Sequence, residues 1–344
     1  MMLRRGAIAL LVTLVGVRVM LPLAVNAGGD DTFKGRTVIV YVSTGPGGGY
    51  DAYARLVARN LGRHLPGNPN VIVENMPGAG GLNLANYLYN VAPKDGTAIG
   101  TMQHTITYEA LFGEQAVKFD ARKFNWLGSI ATFTSVGIAW HTSGVKSIED
   151  AKKKQIAMGA SGAGATSFEY TNLMNHLLGT KFKILIGYKG STAMYLAMER
   201  GELQGVAGTD WAVIRNDHSD WIKTKAIDVF VQFALKKNPD LPDVPLIGDL
   251  ASSAEDKRVL HFVFAGLQFA RPFLAPPGVP ASVVAQLRSG FDAAAMDPAL
   301  LAQAKKERLD IEPVDGATVQ RLVGELYETP KPIVKRADWA LTAQ

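Results

Sequence analysis

Residues 37–81 read TVIVYVSTGPGGGYDAYARLVARNLGRHLPGNPNVIVENMPGAGG, and within them two apolar strands each run straight into a glycine-rich turn. Thr37 to Val42 is an unbroken β-branched and aromatic run, the pattern of a strand covered on both faces in a parallel sheet. Gly45-Pro46-Gly47-Gly48-Gly49 then breaks it with backbone that accepts positive φ and leaves N–H groups uncovered by side chains. Tyr53, Leu56, Val57, Leu61 and Leu65 follow at helical spacing, which puts the turn at a helix N-terminus, where unpaired N–H groups and the macrodipole favour an anion. Val71-Ile72-Val73 and Pro77-Gly78-Ala79-Gly80-Gly81 repeat the arrangement. The expectation is an anion-binding cleft at the carboxyl ends of a doubly wound sheet.

Working outward, residues 82–90 read as a second helix, Pro93-Lys94-Asp95-Gly96-Thr97 as a turn and Ala98 to Met102 as a third strand ending at Gln103 and His104. The apolar stretch Trp126 to Trp140 reads as a crossing strand into a second lobe, where the opening motif recurs. Ile156-Ala157-Met158 precedes the small-residue run Ser161 to Ser167, and a helix from Phe168 closes at Gly179. Further strands are expected at residues 184–186, 204–207 and 229–234, a proline-rich return at 238–245, a strand at 262–269, and helices near 280–294, 297–308 and 316–328 on the outside of the first lobe.

Length and composition bound the function. A chain of 344 residues points to about two domains. Arg4 and Arg5 before an apolar stretch, with Val25-Asn26-Ala27 supplying small residues, read as a secretory signal peptide over residues 1–27. A membrane anchor fits less well, because the stretch is short and contains Arg18. Without Arg4, Arg5 and Arg18, 33 basic residues face 31 acidic ones, a balance of +2 rather than the formal +5, which removes the main support for a nucleic-acid partner. There is no cysteine, hence no disulfide and no thiolate chemistry.

Catalytic motifs are thin. Gly47-Gly48-Gly49-Tyr50-Asp51-Ala52 fits G-x-G-x-x-A, with Glu74 near where a ribose-binding acid would sit, so a NAD-dependent enzyme is one alternative. A second glycine turn directly after Glu74 speaks against it. Gly159-Ala160-Ser161-Gly162-Ala163 fails the nucleophile-elbow pattern at its last position, and the six histidines show no H-x-x-x-H spacing. Asp51, in the first helical turn, reads as a capping carboxylate rather than a ligand contact.

The motifs resemble one family, the periplasmic solute receptors of tripartite tricarboxylate transporters, also called Bug proteins. Members carry P-A-G-G-G-[ST]-D, then V-V-V-E-N-[RK]-P-G-A-G-G, then A-P-D-G-Y-T; here stand Gly45 to Asp51, Val71 to Gly81 and Ala92 to Thr97. Gly187-Tyr188-Lys189-Gly190, Gly201-Glu202-Leu203 and Leu241-Pro242-Asp243-Val244-Pro245 resemble later family motifs. Ser43-Thr44, Tyr50, the run Ala165-Thr166-Ser167 and Gly208, which stands where many members have an acid, depart from the pattern.

The resemblance implies an α/β, two-lobed periplasmic binding fold of the second type, each lobe a mostly parallel sheet flanked by helices. Lobe 1 would comprise 28–131 and 240–344, lobe 2 132–239. The expected activity is capture of a small organic acid in the interlobe cleft and delivery to membrane permease subunits, by a periplasmic monomer without cofactor, metal or catalytic step. A ligand-sensing module for a signalling receptor is the alternative. Candidate ligand-binding residues in the first lobe are Ser43, Thr44, Gly47, Gly48, Gly49, Tyr50, Gly78, Ala79, Gly80, Gln103 and His104. In the second lobe they are Ser161, Thr166, Ser167, Tyr188, Thr209 and Asp210.

Overall fold

The computed structural model describes residues 31–47, 49–113, 115–162 and 165–343. The expected leader and Gly48 lie outside these described residues. Among the described residues, eleven strands form two sheets. The first contains β1 (Thr37–Val42), β2 (Asn70–Asn75), β3 (Ala98–Thr101) and β4 (Asn125–Ser129). The second contains β5 (Ser135–Trp140), β6 (Ala157–Ala160), β7 (Lys183–Ile186), β8 (Gly205–Asp210) and β9 (Ile227–Phe233). The chain then returns to the first sheet with β10 (Pro272–Ala275) and β11 (Val314–Asp315).

The first sheet runs β11-β4-β10-β3-β1-β2 and the second β7-β6-β8-β5-β9. In each, three parallel strands are followed by one antiparallel strand, and that strand is the first one made after the chain crosses between sheets: β5 on the way out, β10 on the way back. The two lobes are thus topological copies.

Helices Gly49–Leu61 and Ala281–Ala295 cover one face of the first sheet, with Leu56, Val57, Leu287 and Phe291 buried against Val38, Val40 and Phe273. β1 is buried along most of its length, as its unbroken apolar run requires.

Three segments differ from the sequence expectation. The Trp126 to Trp140 run is two strands, β4 and β5, in different sheets, joined by the crossing 130–134. Residues 262–269 are not a strand: helix Ala254–Phe264, capped by the Ser253 hydroxyl on Asp256 N–H, runs into a 3-10 turn at Ala265–Phe269. The strand of this region is β10, whose opening Pro272 occupies the end of the strand, where no ladder N–H is required. Finally, helix Lys331–Thr342 follows the expected elements. It does not simply cap the first lobe. Arg336 pairs with Asp256 on helix Ala254–Phe264, while the Asn172 side-chain amide donates to Leu341 O and the His176 ring lies 4.5 Å from that of Trp339, both from the helix Thr166–Leu173 and its continuation in the second lobe.

Candidate functional site

The first glycine turn is organised by Asp51. Its carboxylate accepts from Gly47 N–H, Asn75 Nδ2 and Arg55 Nε, each at 2.9 Å. Burial pushes the Asp51 pKa up, but the bonds from Arg55, Gly47 and Asn75 outweigh it and hold the group at about 2. The capping role expected of Asp51 is therefore what it does. One consequence corrects the simplest picture of the turn: the Gly47 N–H is already taken by a carboxylate. Asn75 Nδ2 also donates to Thr44 O, tying β2 to the end of β1.

The second turn is different. Gly78, Ala79, Gly80 and Gly81 all have positive φ, at 136°, 45°, 62° and 102°. Gly81 is required by its surroundings as well as its φ, since an added Cβ would lie 2.7 Å from Gln103 Oε1. That same oxygen accepts from Ser43 Oγ at 2.6 Å. The ends of β1 and β3 and the second turn thus meet at one point, with Ala79 and Gly80 exposed at the head of helix Leu82–Asn90.

Beside this point stands Arg271, a residue that the sequence reading did not single out. Its guanidinium lies 4.4 Å from the Tyr50 ring centroid, 5.5 Å from Tyr53 and 5.4 Å from Phe133. Its side chain is 13 % exposed; Nη1 donates to Ala270 O at 3.1 Å, Nη2 is 3.9 Å from Asp210 and Nε is sealed without a partner. Tyr50 lies under the guanidinium and its hydroxyl donates to Ala270 O at 2.9 Å. Gly49 closes the same corner, where an added Cβ would sit 3.4 Å from Arg271 Nη2. A cavity lined by Tyr53, Phe133, Asp210 and Arg271 opens alongside. His104 is 5 % exposed with both ring nitrogens unpartnered; burial first, and the Arg271 charge second, push its pKa down to about 3.

From the second lobe, Asp210 caps helix Trp211–Asp217 by accepting from Ala212 N–H, while Arg271 lies on its other side. Ser167 Oγ accepts from Ser161 N–H at 3.3 Å, holding the second-lobe turn against its own helix beside Thr166. Gly208 has φ +77°, and an added Cβ would lie 2.9 Å from the Thr166 carbonyl carbon. No acid fits there without moving the helix start, which accounts for this departure from the family pattern. The Thr209 hydroxyl accepts from buried Tyr195, and Tyr188 packs against the second-lobe core. The structure thus gathers Ser43, Gly49, Tyr50, Gln103, His104 and the second glycine turn near Arg271, with Asp210 facing them from the other sheet.

A family model, the tripartite tricarboxylate transporter family receptor, matches residues 53–338. The chain belongs to this family. Its members are periplasmic receptors that bind solutes for tripartite transporters. Curated relatives include a UPF0065 protein from the TAR-I ttuE-ttuC′ intergenic region of Agrobacterium vitis, 27 % identical over 80 % of this chain and 76 % of that protein. Another, from the tcbD-tcbE intergenic region of Pseudomonas sp. strain P51, is 24 % identical over 83 % and 81 %. Among solved structures, a TctC solute binding protein from Polaromonas superimposes with TM-score 0.66 at 17 % identity, covering 88 % of this chain and 99 % of that one. The periplasmic binding protein BugD gives 0.64 at 20 %, over 90 % and 99 %. MatC from Rhodopseudomonas palustris, solved with bound malate, gives 0.61 at 18 %, over 88 % and 100 %. These likenesses establish the two-lobed periplasmic binding fold of the second type.

Two buried titratable groups make a prediction about stability. Glu169, 8 % exposed, has its pKa raised by burial and by Glu109 to about 7. Between about pH 4.5 and 6.5, native Glu169 keeps a proton that the unfolded chain has lost, so its contribution to stability falls as pH rises. Native His104 lacks a proton that the unfolded chain holds, so its contribution rises with pH over the same window. The slopes, each about 1.4 kcal/mol per pH unit, oppose one another. In Glu169→Gln only the histidine slope remains, and the stability gained from pH 4.5 to 6.5 is expected to exceed that of the wild type by about 2 kcal/mol. Urea melts at the two pH values test this; equal gains would mean that Glu169 titrates as it does in water.

Proposed function

We propose that the protein is exported with removal of a leader near Ala27, and binds a small organic carboxylate as a monomer in the cleft between the two sheets. It then passes the solute unchanged to the membrane permease subunits of a tripartite transporter. In this reading the lobes divide near 131 and 239, and the acid is held by Arg271, by the Ala79 and Gly80 N–H groups at the head of helix Leu82–Asn90, and by Ser43, Gln103 and Thr166 around them.

The observation that carries this reading is Arg271, a nearly buried guanidinium with an unpartnered Nε at the junction of the sheets, whose nearest acid is 3.9 Å away. A cation so placed favours an incoming carboxylate. Malate and adipate, present in the solved structures of two Rhodopseudomonas palustris proteins of this fold, support the same ligand class. Three charge-assisted hydrogen bonds at about 1.5–3 kcal/mol each supply roughly the gross free energy that micromolar binding needs. A thermal-shift screen against di- and tricarboxylates, aromatic acids and acidic amino acids tests the proposal. A carboxylate at 100 times its dissociation constant should add about 2.7 kcal/mol of stability. If no carboxylate raises the melting temperature, the receptor reading is wrong.

A further inference from the structure

The carboxylate contacts above give Asp210 no part, although it is the acid nearest Arg271. Its two oxygens differ. Oδ1 accepts from Ala212 N–H at 2.9 Å and caps helix Trp211–Asp217, whereas Oδ2 faces Arg271 Nη2 at 3.9 Å and, among the described residues, takes no hydrogen bond. The guanidinium is fixed from its own side, stacked on Tyr50 and donating from Nη1 to Ala270 O. A donor from one sheet and an acceptor from the other thus confront each other, too far apart to bond.

Both line one cavity of about 80 Å³, walled by Tyr53 and Phe133. The other two carboxylates of its lining are engaged: Asp310 accepts from Arg215, and Glu312 from Thr132 Oγ1. The Asn238 amide donates to Thr134 Oγ1 and the Trp211 indole N–H to Asp240, so Arg271 Nη2 and Asp210 Oδ2 are the charged atoms left for an occupant. The volume bounds that occupant. It exceeds the roughly 30 Å³ share of one water but falls well below the roughly 300–1,000 Å³ of a pocket that encloses a whole ligand, so the cavity takes the head of a solute.

A carboxylate that reaches Nη2 arrives beside Oδ2, and two carboxylates so placed repel one another. A proton between them turns that repulsion into a hydrogen bond. The solute supplies it if the carbon next to its carboxylate carries a hydroxyl or an ammonium, because such a group can donate to Oδ2 while the carboxylate stays on Nη2. A donor one carbon further along would have to fold the chain back into a cavity of head size. With carboxylate and donor both fixed, the rest of the solute can leave the cavity on one side only, which distinguishes enantiomers.

We propose that Asp210 is a specificity-determining residue that reads a hydroxyl or ammonium group on the carbon next to the carboxylate bound by Arg271. This rests on the receptor reading above and narrows its ligand class to 2-hydroxy and 2-amino carboxylates.

The test is calorimetric titration of the purified protein with matched acids, enantiomers taken separately: succinate with malate and aspartate; glutarate with 2-hydroxyglutarate, 3-hydroxyglutarate and glutamate; phenylacetate with mandelate. The expected result is that one enantiomer of the best 2-substituted acid binds at least tenfold more tightly than its unsubstituted parent, while 3-hydroxyglutarate gains nothing over glutarate. In Asp210→Asn, which keeps an oxygen for Ala212 N–H, the preference should fall to within about twofold and the parent acid should bind more tightly, since the repelling charge is gone. Circular dichroism checks that the variant is folded, and the wild-type comparisons decide the matter without it. Parent acids that bind as well as their 2-substituted partners, or a 3-hydroxy acid that gains as much as the 2-hydroxy acid, overturn the role of Asp210 and leave the carboxylate receptor standing. So does a preference that survives in folded Asp210→Asn. If none of these acids binds, the role of Asp210 and the receptor reading fall together.

Discussion

Arg271→Met is expected to weaken carboxylate binding at least a hundredfold while the protein remains folded. Among the described residues the side chain has no carboxylate within hydrogen-bond distance, so the substitution removes a cation that is stacked on Tyr50 and largely sealed from water rather than half of a structural ion pair. Removing one partner of a desolvated charge contact costs about 2–5 kcal/mol, and about 2.7 kcal/mol is a factor of a hundred in affinity. Met fills much of the same volume against Tyr50, Tyr53 and Phe133, which keeps the packing of helix Gly49–Leu61 in place. Arg271→Lys separates charge from shape: it keeps the cation and loses the planar fork that stacks on the ring and spans two oxygens, so an intermediate loss of about tenfold is expected. Titration of both variants with any carboxylate that stabilises the wild type decides the matter. A Met variant within about threefold of wild type would place the acid away from this corner.

The importance of Arg271 was not legible in the sequence for a physical reason. It is a single cation inside an apolar stretch, between Ala270 and Pro272, and nothing local distinguishes it from a solvated loop residue. What gives it a role is the approach of Tyr50, 221 positions earlier, and of Asp210 from the other sheet. The signal available was the cost of burying a guanidinium in such a stretch without a compensating acid nearby in sequence. The glycine turns were legible because their information is local: apolar run, glycines, helical period. Even there, which N–H groups remain free was set by Asp51, whose capping of Gly47 could be anticipated as a type of interaction but not as the loss of that donor.

The same distinction explains the errors of secondary structure. Residues 262–269 are apolar at nearly every position because Tyr108 covers the segment from the first lobe and Tyr170 from the second, so no wet face marks the helical period. A continuous apolar run of this length reads equally as a buried strand. Helix Lys331–Thr342 bridges elements of both lobes through Arg336 and the Asn172 contact, and tertiary partners of that kind leave no trace in its own spacing.

Arg215→Ala is expected to open the unliganded protein, and the reasoning rests on where the lobes touch at the rim. Arg215, on helix Trp211–Asp217 of the second lobe, donates from Nη2 to both Asp310 oxygens at 2.9 and 2.7 Å, and from Nη1 to Asp240 at 3.0 Å. Arg308 lies 3.5 Å from Asp217 beside it. Arg215 and Asp310 are 38 % and 55 % exposed, so solvent screening limits such a pair to about 1 kcal/mol or less. That modest size suits a hinged receptor. A latch worth several kcal/mol would hold the cleft shut without solute, whereas one of about 1 kcal/mol shifts the ratio of closed to open protein only about fivefold and leaves the decision to the ligand. Hinge motion is expected at the crossing 130–134, where Asn238 Nδ2 donates to Thr134 Oγ1 at 3.1 Å. A few residues there can absorb the φ/ψ change while each sheet stays rigid. Small-angle scattering should therefore show a larger radius of gyration for Arg215→Ala than for wild type without solute, and the two radii should converge when a stabilising carboxylate is saturating. Affinity should fall by no more than about fivefold, the loss of closed population alone, because Arg215 touches no part of the proposed carboxylate contacts. Equal radii without solute would mean that the rim pairs follow closure and do not bias it, and strong salt dependence of the wild-type radius, expected here, would then also be absent.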